Sequence, residues 1–144
     1  MTVKRVKVER VERLGIRLLP KEKFSIELLA KKNGKSITSV IKDAVDLALR
    51  DRHTGLVVES SDGKTFFLPD LCWHPIESER VVNLGLHAQE LMSDYQLVMW
   101  KLICEEPTYW TGDKQPDRKK ISEEWKKIKL STLKAFDEME QPED

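Results

Sequence analysis

Leu14, Ile16 and Leu18 alternate with Arg13, Gly15 and Arg17, and Pro20 ends the run. A period of two marks a short strand with one apolar face. No other feature restricts the chain as much. A strand of five or six residues is not stable alone, and each of its edges carries unpaired N–H and C=O groups. Two copies solve the problem together. Their strands pair antiparallel into one ribbon, and the helices that follow close over its apolar face. Leu14, Ile16 and Leu18 then point into a shared core, while Arg13, Gly15 and Arg17 point outward. A slip of one residue would exchange the two faces. It would bury both arginines and leave the three aliphatic side chains in water, so the first register is adopted.

Two helices are expected next. Residues 21–32 carry Phe24, Ile26, Leu28, Leu29 and Ala30 as a broad apolar face, and Asn33-Gly34 supplies a left-handed helix end. Ser36 caps a second helix. In it Ile37, Val40, Ile41, Ala44, Val45 and Ala48 recur at the helical period until near Arg52. His53-Thr54-Gly55 punctuates the pattern.

Charge divides the chain at the same place. Residues 1–53 hold 14 Lys and Arg against 7 Asp and Glu, whereas residues 54–144 hold 11 against 18. A basic first part and an acidic second part suit a nucleic-acid-facing region and one that avoids nucleic acid. Residues 1–10 form a basic arm, with Lys4, Arg5 and Lys7 either touching DNA phosphate or serving as a solubilising tail. Met1 to Arg13 lacks the apolar segment of a signal peptide. No apolar run approaches the roughly 20 residues that span a bilayer. Cys72 and Cys104 stand far apart and fit reduced thiols, so a cytoplasmic location is expected.

Beyond residue 55 the reading is coarser. Residues 56–58 and 65–68 flank Ser60-Ser61-Asp62-Gly63, the pattern of a β-hairpin. Pro69 and Pro75 bracket an irregular stretch. One long helix is expected over 77–105, a loop over 107–120, and a last helix over 122–138. The expected fold class is α+β: an N-terminal ribbon-helix-helix forming an intertwined dimer, then a β-hairpin and two longer α-helices. Its parts are the arm (1–10), a DNA-binding and dimerising domain (11–53), and a C-terminal domain (56–140) for oligomerisation or a protein partner.

Two stretches carry a resemblance. Gly15-Ile-Arg-Leu-Leu-Pro20 resembles the strand and terminating proline of the ribbon-helix-helix (MetJ/Arc) superfamily. Ala30-Lys-Lys-Asn-Gly-Lys-Ser36-Ile-Thr-Ser-Val-Ile-Lys-Asp-Ala-Val45 resembles that family's helix end, capping serine and periodic helix. The resemblance extends over residues 11–52, under a third of the chain. The resemblance implies double-stranded DNA as partner, read in the major groove by a two-stranded ribbon. It implies base contacts at Arg13, Gly15 and Arg17, and phosphate contacts at Lys35, Ser36, Ile37, Thr38 and Ser39. The free N–H groups at the start of the second helix suit phosphate. Arginine suits guanine O6 and N7. Gly15 lacks a side chain to reach a base, which leaves direct readout to the arginines. The Pro20-to-Gly34 spacing is also one residue shorter than the resemblance implies.

The function expected is a dimeric transcriptional regulator, assembling further on adjacent half-sites. The alternatives are a partition or conjugation accessory protein of a plasmid or other mobile element, or an antitoxin. Asp70, Cys72 and His74 lack the second ligand pair of a structural zinc site. Trp73, Trp100, Trp110 and Trp125 read as core anchors more readily than as a ligand pocket. No nucleophile–base pair or carboxylate dyad stands out. Catalysis, cofactors, metals and membranes are therefore not expected.

Overall fold

A computed structural model describes residues 11–140. The arm bearing Lys4, Arg5 and Lys7 lies outside the described residues. The chain divides into two compact units with the boundary between Leu47 and Ala48. Among the described residues there are seven α-helices and one two-stranded antiparallel sheet. This corrects the expected fold class. The chain is mostly helical rather than α+β, and its paired strands come after the first two helices, not before them. Residues 11–19 form neither helix nor strand. The physical reason is the one that made this segment notable: within a single chain, no neighbouring strand is there to take its backbone hydrogen bonds.

The first unit contains α1 (Pro20–Asn33) and the start of α2 (Ile37–Leu49). Proline suits the first helical position because that N–H needs no partner. Glu22 Oε2 accepts from the Leu19 N–H at 3.0 Å and closes the N-terminal end of α1. At the other end Gly34 adopts φ 61°. Its N–H donates to the Lys31 carbonyl at 3.3 Å, and the Lys35 N–H donates to the Ala30 carbonyl at 3.0 Å. This double closure requires the left-handed residue that glycine supplies at least cost. Gly34→Ala is expected to destabilise the first unit by about 1 kcal/mol, read by chemical denaturation, although the added methyl would meet nothing.

The first unit has very little core of its own. Among its described residues Ala30 and Val40 are buried, whereas Leu14, Leu18, Phe24, Leu28, Leu29, Ile37, Val45 and Leu47 are exposed. Burying each large apolar side chain contributes roughly 1.5–3 kcal/mol. A single copy therefore leaves most of the stabilisation available to this sequence unused.

The second unit is built differently. The last turn of α2 gives way to a tight turn, in which the Asp51 carboxylate accepts from the His53 and Thr54 N–H groups at 2.9 and 2.8 Å. The helix thus stops at Leu49, short of Arg52. Strands β1 (Val57–Glu59) and β2 (Thr65–Phe67) pair antiparallel, with Val58 opposite Phe66. Gly63 closes the hairpin at φ 79°. The stretch expected to be irregular contains α3 (Leu68–Cys72).

The single long helix expected over 77–105 is two helices, α4 (Glu77–His87) and α5 (Asp94–Glu105), with a 3-10 turn at Gln89–Leu91 between them. Ala88 leaves the helical region at φ −153°. Ser93 then starts α5: its hydroxyl accepts from the Gln96 N–H at 3.2 Å, and Gln96 Oε1 accepts from the Ser93 N–H at 2.9 Å. This reciprocal cap was present in the sequence as Ser93 followed three residues on by Gln96. The expected loop 107–120 holds a 3-10 turn (Pro107–Tyr109) and the start of α6 (Arg118–Glu123), and α7 runs Trp125–Glu140.

Helices α4, α5, α6 and α7 surround a core of Val81, Val82, Met92, Met99, Trp100, Ile103, Tyr109, Ile121 and Ile128. The indoles of Trp100 and Trp110 meet edge to face at 6.0 Å. Two polar ties fasten α4. Arg118 reaches Glu79 at 2.6 Å and Asn83 at 2.8 Å, joining α6 to α4. Glu77 accepts from the Trp125 indole and from Lys129, both at 3.1 Å, joining α7 to α4. The Trp125 hydrogen bond, then Lys129, holds the Glu77 carboxyl below its ordinary range.

Candidate nucleic-acid interface

The residues expected to touch DNA all fall in the first unit. Ile16 and Leu18, two residues apart, line one groove of about 390 Å³ together with Lys23 and Ile26 of α1 and Ile37 and Ile41 of α2. Alternation along the segment therefore places these two aliphatic residues over the helices. Leu14, further out, is 87% exposed, against 53% for Ile16 and 41% for Leu18. Arg13, Gly15 and Arg17 are exposed as well. A methyl added at Gly15 would meet nothing within 4 Å, so no close packing requires glycine there.

The start of α2 is the second element. The Ser36 hydroxyl accepts from the Ser39 N–H at 3.1 Å and donates to the Ser39 hydroxyl at 3.0 Å. That interaction occupies one of the free N–H groups at this end. Ile37 and Thr38 lie in the first turn, where an α-helix leaves its N–H groups without intrahelical partners. No acidic residue sits in that turn. The contrast with α1 is informative, because there Glu22 already supplies the anion. The positive end of the α2 dipole thus remains open to an outside anion.

Lys35 departs from expectation. Its Nζ donates to Asp43 Oδ2 at 2.7 Å. The residue expected to meet a phosphate is thus already paired with a carboxylate of the same chain. Asp43 was not singled out from the sequence. An eight-residue separation that starts before the helix fits no helical pairing rule, so no simple signal was present.

Among the described residues of the second unit, the cysteine, histidine and tryptophan side chains singled out from the sequence are not gathered into one site. Cys72 is buried with Sγ 3.9 Å from the Asn83 carbonyl, and burial pushes its thiol pKa up. His74 Nδ1 accepts from the Ile76 N–H at 3.0 Å. No group of three or more His, Cys, Asp or Glu placed to hold a metal occurs among the described residues. The tryptophans are dispersed. Trp100 is in the core, Trp110 donates to the Ile103 carbonyl at 2.9 Å, Trp125 binds Glu77, and Trp73 is exposed beside Arg80. No described helix is long and apolar enough to cross a membrane. Comparison of the chain with protein-family models, with characterised proteins and with solved structures finds no match.

Proposed function

We propose that the chain binds double-stranded DNA sequence-specifically as a homodimer and regulates transcription from the bound site. The observation that carries this reading is the sorting of residues 13–18. Ile16 and Leu18 face an apolar groove formed by α1 and α2, while Arg13 and Arg17 stand exposed beside them. A second copy would supply what one copy lacks: a partner for the backbone of this segment and a cover for the exposed apolar side chains. Pairing of the two segments would make a ribbon narrow enough for the major groove, with the arginines on its outer side. The open N-terminus of α2 would then meet the DNA backbone through Ser36, Ile37, Thr38 and Ser39.

The resemblance of residues 11–52 to the ribbon-helix-helix superfamily supports the same reading, as does the excess of basic residues in this part of the chain. The second unit has its own core and would serve oligomerisation on adjacent half-sites or contact with another protein. The setting would be a bacterial cytoplasm, on nucleoid or plasmid DNA. The task is binding rather than catalysis.

Arg17→Ala tests the reading directly. Each bidentate arginine–guanine contact contributes about 1–3 kcal/mol of discrimination. The variant is expected to lose at least that much affinity for its preferred duplex, measured by fluorescence anisotropy, and to tolerate base changes at the position it read. Unchanged affinity and unchanged base preference would show that residues 13–18 do not read DNA.

A further inference from the structure

We propose that Asp43 is an internal competitor for the DNA phosphate at Lys35, and that it limits how tightly the protein holds duplex of arbitrary sequence. The inference rests on the DNA-binding reading above and adds a residue that tempers its phosphate contacts. Lys35 lies just before α2, and Asp43 lies six residues beyond its first residue, Ile37. At about 1.5 Å rise per residue that is roughly 9 Å along the helix axis. The 2.7 Å contact therefore draws the Lys35 ammonium along α2, away from the first-turn N–H groups of Ile37 and Thr38. A phosphate at those N–H groups gains Lys35 only if the Asp43 carboxylate gives it up.

The exchange is feasible because the pair is a surface one. The side chains of Lys35 and Asp43 are 51% and 57% exposed, so water and salt screen their attraction. Carboxylate and phosphate are both oxyanions, and the Lys35 ammonium can donate to either. Releasing Lys35 from Asp43 costs the same in every complex that uses it, and a complex held by phosphates alone has no base contacts to offset that cost.

The test uses the full chain and a labelled random-sequence duplex, titrated by anisotropy between about 50 and 200 mM salt. Asp43→Asn is close to isosteric and removes only the charge. It is expected to tighten binding about twofold to fivefold at the low-salt end. It should also steepen the dependence of log affinity on log salt by about 0.9 for each phosphate gained. In a Lys35→Ala background the same change is expected to do nothing. Equal affinity for Asp43→Asn and the parent protein would overturn the competitor role. So would an undiminished gain in the Lys35→Ala background, which would reflect general loss of negative charge. Failure of both the parent and Asp43→Asn to bind any duplex at about 50 mM salt would instead overturn the DNA-binding reading itself.

Discussion

Ile41→Asp is expected to leave the protein monomeric and to abolish duplex binding. Ile41 lies midway along α2 and lines the groove that also holds Ile16, Leu18, Ile26 and Ile37. In one copy it is only half-buried. In the proposed dimer it would be sealed beneath the paired segments. An uncompensated carboxylate there costs about 3–5 kcal/mol per protomer. Both copies contribute, so the dissociation constant should rise by roughly four orders of magnitude or more. Sedimentation at micromolar concentration would register the change. The second unit offers an internal control, because all four tryptophans, Trp73, Trp100, Trp110 and Trp125, lie beyond residue 47. Their fluorescence-detected melting should be unchanged while helical circular dichroism falls. An Ile41→Asp protein that still sedimented as a dimer would contradict the shared core.

Gly85→Ala is expected to act on the other unit and in the opposite sense to helix propensity. Gly85 lies inside α4, where exchanging glycine for alanine ordinarily stabilises by roughly 0.5–1 kcal/mol. Here the added methyl would fall within the indole of Trp100, against Cδ2, Cε2 and Cε3. That ring is 5% exposed and packed against Trp110, so it has little room to withdraw. Overpacking of this kind costs typically about 1–3 kcal/mol, and occasionally more. A clash with a ring rather than with a flexible chain end lies at the upper part of that range. The net expectation is a loss of about 2 kcal/mol in the tryptophan-monitored transition, with dimerisation unaffected. Gly15→Ala, where the methyl meets open space, should leave that transition untouched. A Gly85→Ala protein more stable than the parent would show that α4 and α5 can separate to admit the methyl.

These two substitutions also mark where the sequence was legible. The chemistry between α1 and α2 was readable because it is local: Asn33-Gly34 needs a left-handed backbone, and Ser36 can only reach forward to its own helix. The alternation of residues 13–18 predicts a strand paired with that of a second copy, whereas in the single chain residues 11–19 form neither helix nor strand, and Ile16 and Leu18 line the groove beside α1 and α2. Alternation reports which side is apolar, whereas a strand exists only when a neighbour takes its hydrogen bonds. The apolar face of α1 was assigned to a core that one copy does not possess. In the second unit, the expectation of one helix over 77–105 missed the break at Ala88. Both halves bury one face in a common core, so their apolar positions run on as if through one helix. The Ser93–Gln96 cap was the signal that separated them. Contacts between distant positions left no local trace. Arg118 with Glu79 and Asn83, Trp125 with Glu77, and Lys35 with Asp43 depend on tertiary placement rather than on spacing.

The most direct test of the central claim is selection from a pool of random duplexes by the full-length protein, followed by sequencing of the bound fraction. The expected result is enrichment of a partly two-fold symmetric site containing guanines, as two copies of Arg13 and Arg17 on one ribbon require, and loss of that enrichment in the Arg13→Ala, Arg17→Ala double variant. A bound pool indistinguishable from the starting pool, or a motif that persists unchanged in the double variant, would contradict it.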